Sequence, residues 1–416
     1  MTSSEKIYDV VIIGGGPAGM MAAGRAAERG AEVLLLEKNN SLGKKLLITG
    51  GGRCNVTNAE FDVRKFLAKF KGNGKFLFSA FSQRGVEQTL EFFHSHKMET
   101  KTEAEKRVFP KSDSAQSVWE VLVQYMQKGK VTVRENSEVL GINTNRNLIE
   151  SVELKNGKKI YAKSFVLATG GKSHPETGST GEGLQWLKKI GHKIIESNSA
   201  LVPISIKDEW VKKLQGLSLP EVKLSAIQNG KVQGKMVGKI LFTHFGLSGP
   251  AVLNLSKDIG ELLQYGEVTL SLDLFPMLSP GDLNLKLQEI FKIESNKKCK
   301  NSLTSLIPAR LQLPIIESAK INPDTFCNSI TRIERLRLVE TMKKMSAEVS
   351  GLLDLKKAIV TSGGLDLSEI DFKTMRSRLF GNLYCIGDVL NIDRPSGGYS
   401  LQICWTTGYV AGSNCF

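Results

Sequence analysis

The stretch that decides the fold is Tyr8-Asp9-Val10-Val11-Ile12-Ile13-Gly14-Gly15-Gly16-Pro17-Ala18-Gly19. A short run of β-branched residues, suited to a strand buried on both faces, passes directly into G-x-G-x-x-G. Ala18 to Arg29 then has helical composition and stops at Gly30, and Glu32 to Leu36 reads as a second strand. In such a βαβ unit each glycine has its own task. Gly14 permits the tight turn, Gly16 lets backbone approach a pyrophosphate, and Gly19 lets helix and strand pack closely. Pro17 and Ala18 open a helix whose free N–H groups and dipole favour phosphate. The second strand runs into Glu37 and Lys38, close to the ~20-residue interval at which an acid grips ribose hydroxyls.

Outward from this unit, helical stretches are expected at Gly85 to His96 and Ser114 to Gln127. Strands are expected near Val131 to Glu135, Ile149 to Leu154 and Phe165 to Ala168, with a turn at Asn156-Gly157. From about Leu201 the pattern alternates, as in Leu201 to Ile206, Val222 to Ile227 and Val268 to Leu272, which predicts antiparallel strands. Pro280 to Lys344 is helical and lysine-rich, with Pro308, Pro314 and Pro323 as expected breakers. Strands resume at Ala358-Ile359-Val360 and Leu383 to Ile386. The simplest architecture is α/β: a dinucleotide domain built from both chain ends and interrupted by a mixed insertion.

The chain has 416 residues, too many for one ordinary core, and its 41% hydrophobic and 24% charged residues are those of a globular protein. No apolar run reaches the ~20 residues of a membrane span. Val10 to Ala27 is preceded by Glu5 and Asp9 and broken by glycines and Pro17, unlike a secretory signal, so a cytoplasmic enzyme is expected. Six cysteines show no CxxC and five histidines no i, i+4 pair, so no metal site is expected. A formal charge of +14 would suit nucleic acid, a solvated surface, or attraction of an anionic cofactor. With lysine spread along the chain and no nucleic-acid motif, the reading turns to a small-molecule substrate.

The first turn alone does not separate NAD from FAD. Tyr384-Cys385-Ile386-Gly387-Asp388 resembles the second FAD fingerprint of two-dinucleotide-domain flavoproteins, and by that resemblance Asp388 bonds the ribityl chain. Gly398, Tyr399, Ser400 and Leu401 open a last helix (Leu401 to Ala411) whose N-terminus could face the flavin's pyrimidine edge and stabilise negative charge there.

Four further segments, Gly43 to Asn58 (GKKLLITGGGRCNVTN), Leu167 to Gly183 (LATGGKSHPETGSTGEG), Leu241 to Pro250 (LFTHFGLSGP) and Val360 to Gly364 (VTSGG), occur in order. With them the whole chain resembles the FAD-binding family of aminoacetone oxidase and bacterial bile-acid reductases, often labelled NAD(FAD)-utilising dehydrogenases. The resemblance implies a discontinuous Rossmann-type FAD domain (1–197 and 351–416), an inserted antiparallel, barrel-like β domain (198–278) and a small helical subdomain (279–350). It also implies that Lys45-Leu46 and Arg53-Cys54-Asn55 lie along the isoalloxazine, that Thr169-Gly170-Gly171 closes the site, and that Val139 meets adenine through its backbone. Gly387-Asp388 stands where the family has Gly-Glu, Ser400 where it has Asn, and Arg394-Pro395 replaces a more glycine-like stretch.

The expected function is FAD-dependent two-electron chemistry on a small organic substrate, in the form of conjugated double-bond reduction with NAD(P)H. An amine oxidase using oxygen is the alternative enzyme, and a flavin-containing RNA-binding or RNA-modifying protein the alternative of another class. Cys54 invites a disulfide-reductase reading, but Asn55 to Thr57 supplies no second thiol, so a pocket-lining residue is expected. His244, between Phe242 and Phe245, is the weak candidate for an acid or base, with His174 beside Pro175 behind it. No second G-x-G-x-x-G is present, so donor and acceptor are expected to use one flavin face in turn.

Overall fold

A computed structural model describes residues 6–70, 72–196, 202–353 and 363–416. The chain divides into two units, 1–198 with 359–416, and 199–358.

In the first unit the opening strand, Ile7–Ile13, lies inside a seven-stranded sheet. It pairs in parallel with Val33–Leu36 on one side and Lys159–Leu167 on the other. Val10, Val11 and Ile12 are wholly buried. Full burial of such a side chain is worth about 1.5–3 kcal/mol, which is why the run is apolar rather than alternating. Thr132–Arg134 extends the sheet beyond Val33–Leu36. The long strand Lys159–Leu167 changes partners along its length. Its first residues pair antiparallel with Leu148–Leu154, itself paired to Val139–Asn145. Its last three pair in parallel with Leu383–Cys385. That exchange is what admits the C-terminal part of the chain to the sheet.

The helix Pro17–Glu28 has proline at its first turn, is rich in alanine, and is followed by Gly30 at φ +96°. It packs closely on the last helix, Tyr399–Asn414. A Cβ on Gly408 would lie 2.5 Å from the Ala18 carbonyl oxygen, and one on Gly412 2.6 Å from that of Ala22, so only hydrogen fits at either position. The chain ends are thus joined both in the sheet and in the helix layer.

The second unit is a closed antiparallel barrel of Ile204–Ile206, Gly246–Ser248, Lys231–Thr243, Ser218–Gln228, Thr269–Asp273 and Met345–Leu352. Alternate residues such as Leu224, Ala226, Leu270, Leu272, Ala347 and Val349 fill its interior. Helices Pro280–Ile293, Ala309–Ser318 and Arg332–Lys343 are inserted before its final strand.

Three expectations change. Residues 345–350, which the resemblance places in the helical subdomain, are strand, pairing with Ile204–Ile206 to close the barrel. Pro314 does not break its segment but lies inside the helix Ala309–Ser318, whose Leu311, Ile315 and Ile316 are buried; apolar burial outweighs the lost backbone donor. Of the strand expected at 201–206, Leu201 lies outside the described residues, 202 and 203 are not strand, and Ile204–Ile206 is. The strand expected at 358–360 lies outside the described residues.

Candidate functional site

Four of the sequence motifs directly follow the carboxyl ends of parallel strands. Gly14 to Gly19 follows Ile7–Ile13, and Glu37-Lys38 follows Val33–Leu36. Thr169-Gly170-Gly171 follows Lys159–Leu167 and Gly387-Asp388 follows Leu383–Cys385. Parallel pairing therefore gathers segments far apart in sequence along one edge, where open α/β sheets take their ligands.

Contacts bind this edge together. Gly14 has φ +108°, and a Cβ there would sit 2.6 Å from the Ala168 carbonyl oxygen; a Cβ on Gly19 would sit 2.0 Å from that of Gly14. A Cβ on Gly16 meets nothing within 4 Å. Two glycines are required by the protein itself, while the third faces open space at a helix N-terminus that has no side-chain cap. A pyrophosphate fits such a cradle. Nearby, Thr169 Oγ1 is buried without a hydrogen-bond partner among the described residues, a further polar atom that a ligand could satisfy.

Glu37 is 8% exposed. One carboxylate oxygen accepts the Gly15 N–H at 2.8 Å, and the other accepts the Asn39 N–H at 2.8 Å and side-chain amide at 2.7 Å. The carboxylate thus holds the glycine turn and still has lone pairs for hydroxyls. Lys38 donates to Thr180 and Glu182 at 2.9 Å each, securing the loop beyond Gly171. The segment leading to Val139 runs beside Glu37: the Ser137 N–H bonds the Glu37 carbonyl and the Asn136 N–H that of Asn39. A cavity of about 320 Å³ opens here, lined by Lys38, Asn136, Ser137, Glu138, Leu154, Lys155 and Asn156.

At the other end, Lys45 donates to Ser173 at 2.9 Å and lies 3.8 Å from Asp388. The wholly buried Arg394 guanidinium stands 3.0 Å from Asp388 and donates to the Gly387 carbonyl at 2.7 Å. Gly398, at φ +98°, brings the start of the last helix against Thr57 and Asn55, where a Cβ would lie 2.4 Å from the Thr57 backbone. Tyr399 is buried against Phe66 and Phe70, Ser400 is half-buried, and Leu401 turns into the core.

Other candidates are placed less centrally. Leu46 is fully buried in the core. The Arg53 guanidinium is engaged by Glu103 at 2.5 Å and Asp113 at 2.8 Å and lies over the Phe109 ring. Cys54 is fully buried, and burial pushes its thiol up to about 12, so it is a neutral thiol at ordinary pH rather than a nucleophile. His174 bonds Glu176 at 2.7 Å. His244 is exposed in the second unit, at the hairpin between Thr243 and Gly246, its ring against Phe245.

The sequence reading missed the polar seam that fixes the last helix. Gln402 accepts from Thr57 at 2.7 Å and donates to Thr89, Thr406 and the Gly85 carbonyl, while Trp405 donates to the Val56 carbonyl. The Gly408-x-x-x-Gly412 spacing was the available signal for the helix contact. Ser377, His192 and Glu369 also form an unforeseen chain, with distances of 3.0 and 2.6 Å. Ser377 is buried and its hydroxyl accepts the Leu379 and Phe380 amides, so this chain ties loops together and offers no accessible nucleophile.

Sheet order, glycine cradle and buried acid define a dinucleotide-binding protein of the Rossmann class. The chain belongs to the family described as HI0933-like protein Rossmann domain, FAD-dependent oxidoreductases, which it matches over residues 8–414. It is 31% identical over 410 residues to the ribosomal RNA dihydrouridine synthase of Escherichia coli, covering 98% of each chain. It is 29% identical to the 3-dehydro-bile acid delta(4,6)-reductase of Clostridium scindens, covering 96% of this chain and 97% of the other. In fold it resembles a flavocytochrome c3 fumarate reductase in its open conformation, with a TM-score of 0.55 at 17% identity, covering all of this chain and 78% of that one. Among the described residues no helix is long and apolar enough to cross a membrane.

Proposed function

We propose that this chain, with FAD bound, reduces a carbon–carbon double bond conjugated to a carbonyl, and that the substrate is a uracil base within RNA. The observation that carries this is the full-length similarity to two relatives whose names share one chemistry. Dihydrouridine is uridine with two hydrogens added to a double bond conjugated with a ring carbonyl. A delta(4,6)-reductase saturates double bonds that a 3-keto group conjugates. The choice of RNA over a steroid is supported by the charge of +14, which favours a polyanion over a substrate with a single carboxylate.

The chain's own residues would do the holding. The Gly14 to Gly19 turn and its helix would hold the pyrophosphate, and Glu37 the adenosine ribose. Asp388, fixed between Lys45 and Arg394, would take the ribityl chain, and the N-terminus of Tyr399–Asn414 would face the pyrimidine edge. Bound FAD supplies the hydride. The inserted unit is a barrel with helices rather than a second βαβ fold, which supports NAD(P)H acting as a transient donor that leaves before substrate enters.

The test is incubation of the yellow holoprotein and NADH or NADPH with unmodified ribosomal RNA, followed by nucleoside mass spectrometry. Dihydrouridine should appear, and initial rates should give parallel double-reciprocal lines. Reduction of a 3-keto-4,6-diene steroid with none of RNA would remove the substrate assignment. Oxygen uptake with aminoacetone and no double-bond reduction would remove the reaction class.

A further inference from the structure

We propose that the outer face of the barrel strand Lys231–Thr243 is an RNA-docking surface that grips the phosphate backbone of the substrate. This rests on the RNA reading above and adds where the polyanion is held.

The strand's two faces are unlike. From Gly234 onward its even-numbered face is turned to the helix Pro250–Leu262: a Cβ on Gly234 would lie 3.2 Å from Leu255, and one on Gly238 3.6 Å from Ala251. Over the same stretch its odd-numbered face is left outward and carries Lys235, Val237, Lys239 and Leu241, all exposed, and Lys223 of the neighbouring strand shares that face opposite Val237. Lys235 and Lys239 lie roughly 13 Å apart along the strand and Lys223 sits between them on the next strand, so the three lysines form one patch. The strand has no acidic residue. Among the described residues no carboxylate is paired with any of the three lysines.

Register continues the pattern sideways. Lys235 lies opposite Ser225, Ser225 opposite Ser271, and Ser271 opposite Ser346, a row of hydroxyls leading away from the lysine patch. One position along, Val237 lies opposite Lys223 and Lys223 opposite Asp273, whose carboxylate is already held by Lys343 at 2.7 Å. Glu221, at the bulge before Val222, is the single acid on the neighbouring strand. Unneutralised lysines in one patch with hydroxyl donors beside them suit a phosphate backbone, which is bound by charge and hydroxyl contacts without reading bases. Sheet closure keeps this face from pairing with another strand, so side chains and not backbone make the contacts.

The experiment compares three FAD-loaded proteins: wild type, the face variant Lys223→Gln/Lys235→Gln/Lys239→Gln, and a control variant Lys286→Gln/Lys292→Gln/Lys344→Gln with the same change in net charge. Binding of a fluorescein-labelled oligouridylate is measured across a salt series, alongside binding to phosphatidylglycerol-containing vesicles. The expected result is about a tenfold or greater loss of RNA affinity for the face variant. Its log–log salt slope should be shallower by about 2, since three contacts at ~0.7 each are gone. The control variant should bind as wild type, and all three should keep the same flavin content and melting temperature. Equal weakening of both variants, or of neither, overturns the face while leaving the RNA substrate standing. A wild-type protein that binds no RNA overturns both. Vesicle binding that depends on these lysines, with RNA binding unchanged, also overturns the proposal.

Discussion

The turn at Gly14 to Gly19 and the glycine-bearing face of the last helix are both places where a side chain is missing, and they are missing it for different reasons. At Gly408 and Gly412 the space is filled by backbone of the opening helix. At Gly14 and Gly19 it is filled by the turn itself and by the neighbouring strand. At Gly16, within the same six-residue turn, it is filled by nothing. A glycine whose absent Cβ points at protein serves the fold. One whose absent Cβ points into open space at a helix N-terminus serves a ligand.

The largest expected effect breaks the fold. Gly19→Ala puts a methyl 2.0 Å from a carbonyl oxygen. Such overpacking should cost about 3 kcal/mol or more in urea unfolding of the apo-protein. Unchanged stability would mean that this turn is looser than its contacts imply.

Gly16→Ala should act on the cofactor and not on the fold. Its backbone, at φ −78°, is open to any residue, so the apo-protein should unfold at the wild-type urea concentration. FAD affinity should fall by about 100-fold, equivalent to roughly 2.8 kcal/mol. Titration of apo-protein with FAD reads this directly, and wild-type affinity would remove the pyrophosphate from this place.

Glu37→Ala should be intermediate and mixed. Loss of a charge-assisted bond to ribose should weaken FAD binding by about 1.5–3 kcal/mol. The amides of Gly15 and Asn39 also lose their acceptor, so the apo-protein should lose about 1 kcal/mol as well. Glu37→Gln, which keeps one oxygen for the Gly15 N–H but turns an NH2 toward the Asn39 donors, should restore only part of the second effect and little of the first. If both effects returned together, the carboxylate would be serving the turn alone.

The smallest effect is at Cys54. With its thiol raised to about 12, thiolate is scarce below that pH, so a disulfide reagent at pH 8 should leave it unmodified in the folded protein and modify it in urea. Rapid modification in the native state would revive a thiol role beside the flavin.

The parallel, wholly buried strands were legible because burial on both faces demands unbroken apolar runs, as in Val10 to Ile13. The barrel was legible from alternation, as in Leu224 and Ala226. Within the site, the first turn and Glu37 could be read because backbone geometry dictates residue type at fixed spacing. Arg394, Gln402 and the His192 chain could not be read. Their partners lie up to hundreds of positions away, and nothing local distinguishes a buried arginine or glutamine from an exposed one.

By itself, the sequence determined that a dinucleotide phosphate could be held at Gly14 to Gly19, since a G-x-G-x-x-G after a strand and opening a helix has that geometry, and that the insertion is not a second such fold. Only the tertiary structure decided what each glycine is for, because that depends on which atoms stand where a Cβ would be. It alone set Asp388 between Lys45 and Arg394, turned Arg53 toward Glu103 and Asp113, and left one lysine-bearing face of a barrel strand bare while a helix covered the other. These outcomes follow from strand order and register, which bring distant residues together and leave no trace in local composition.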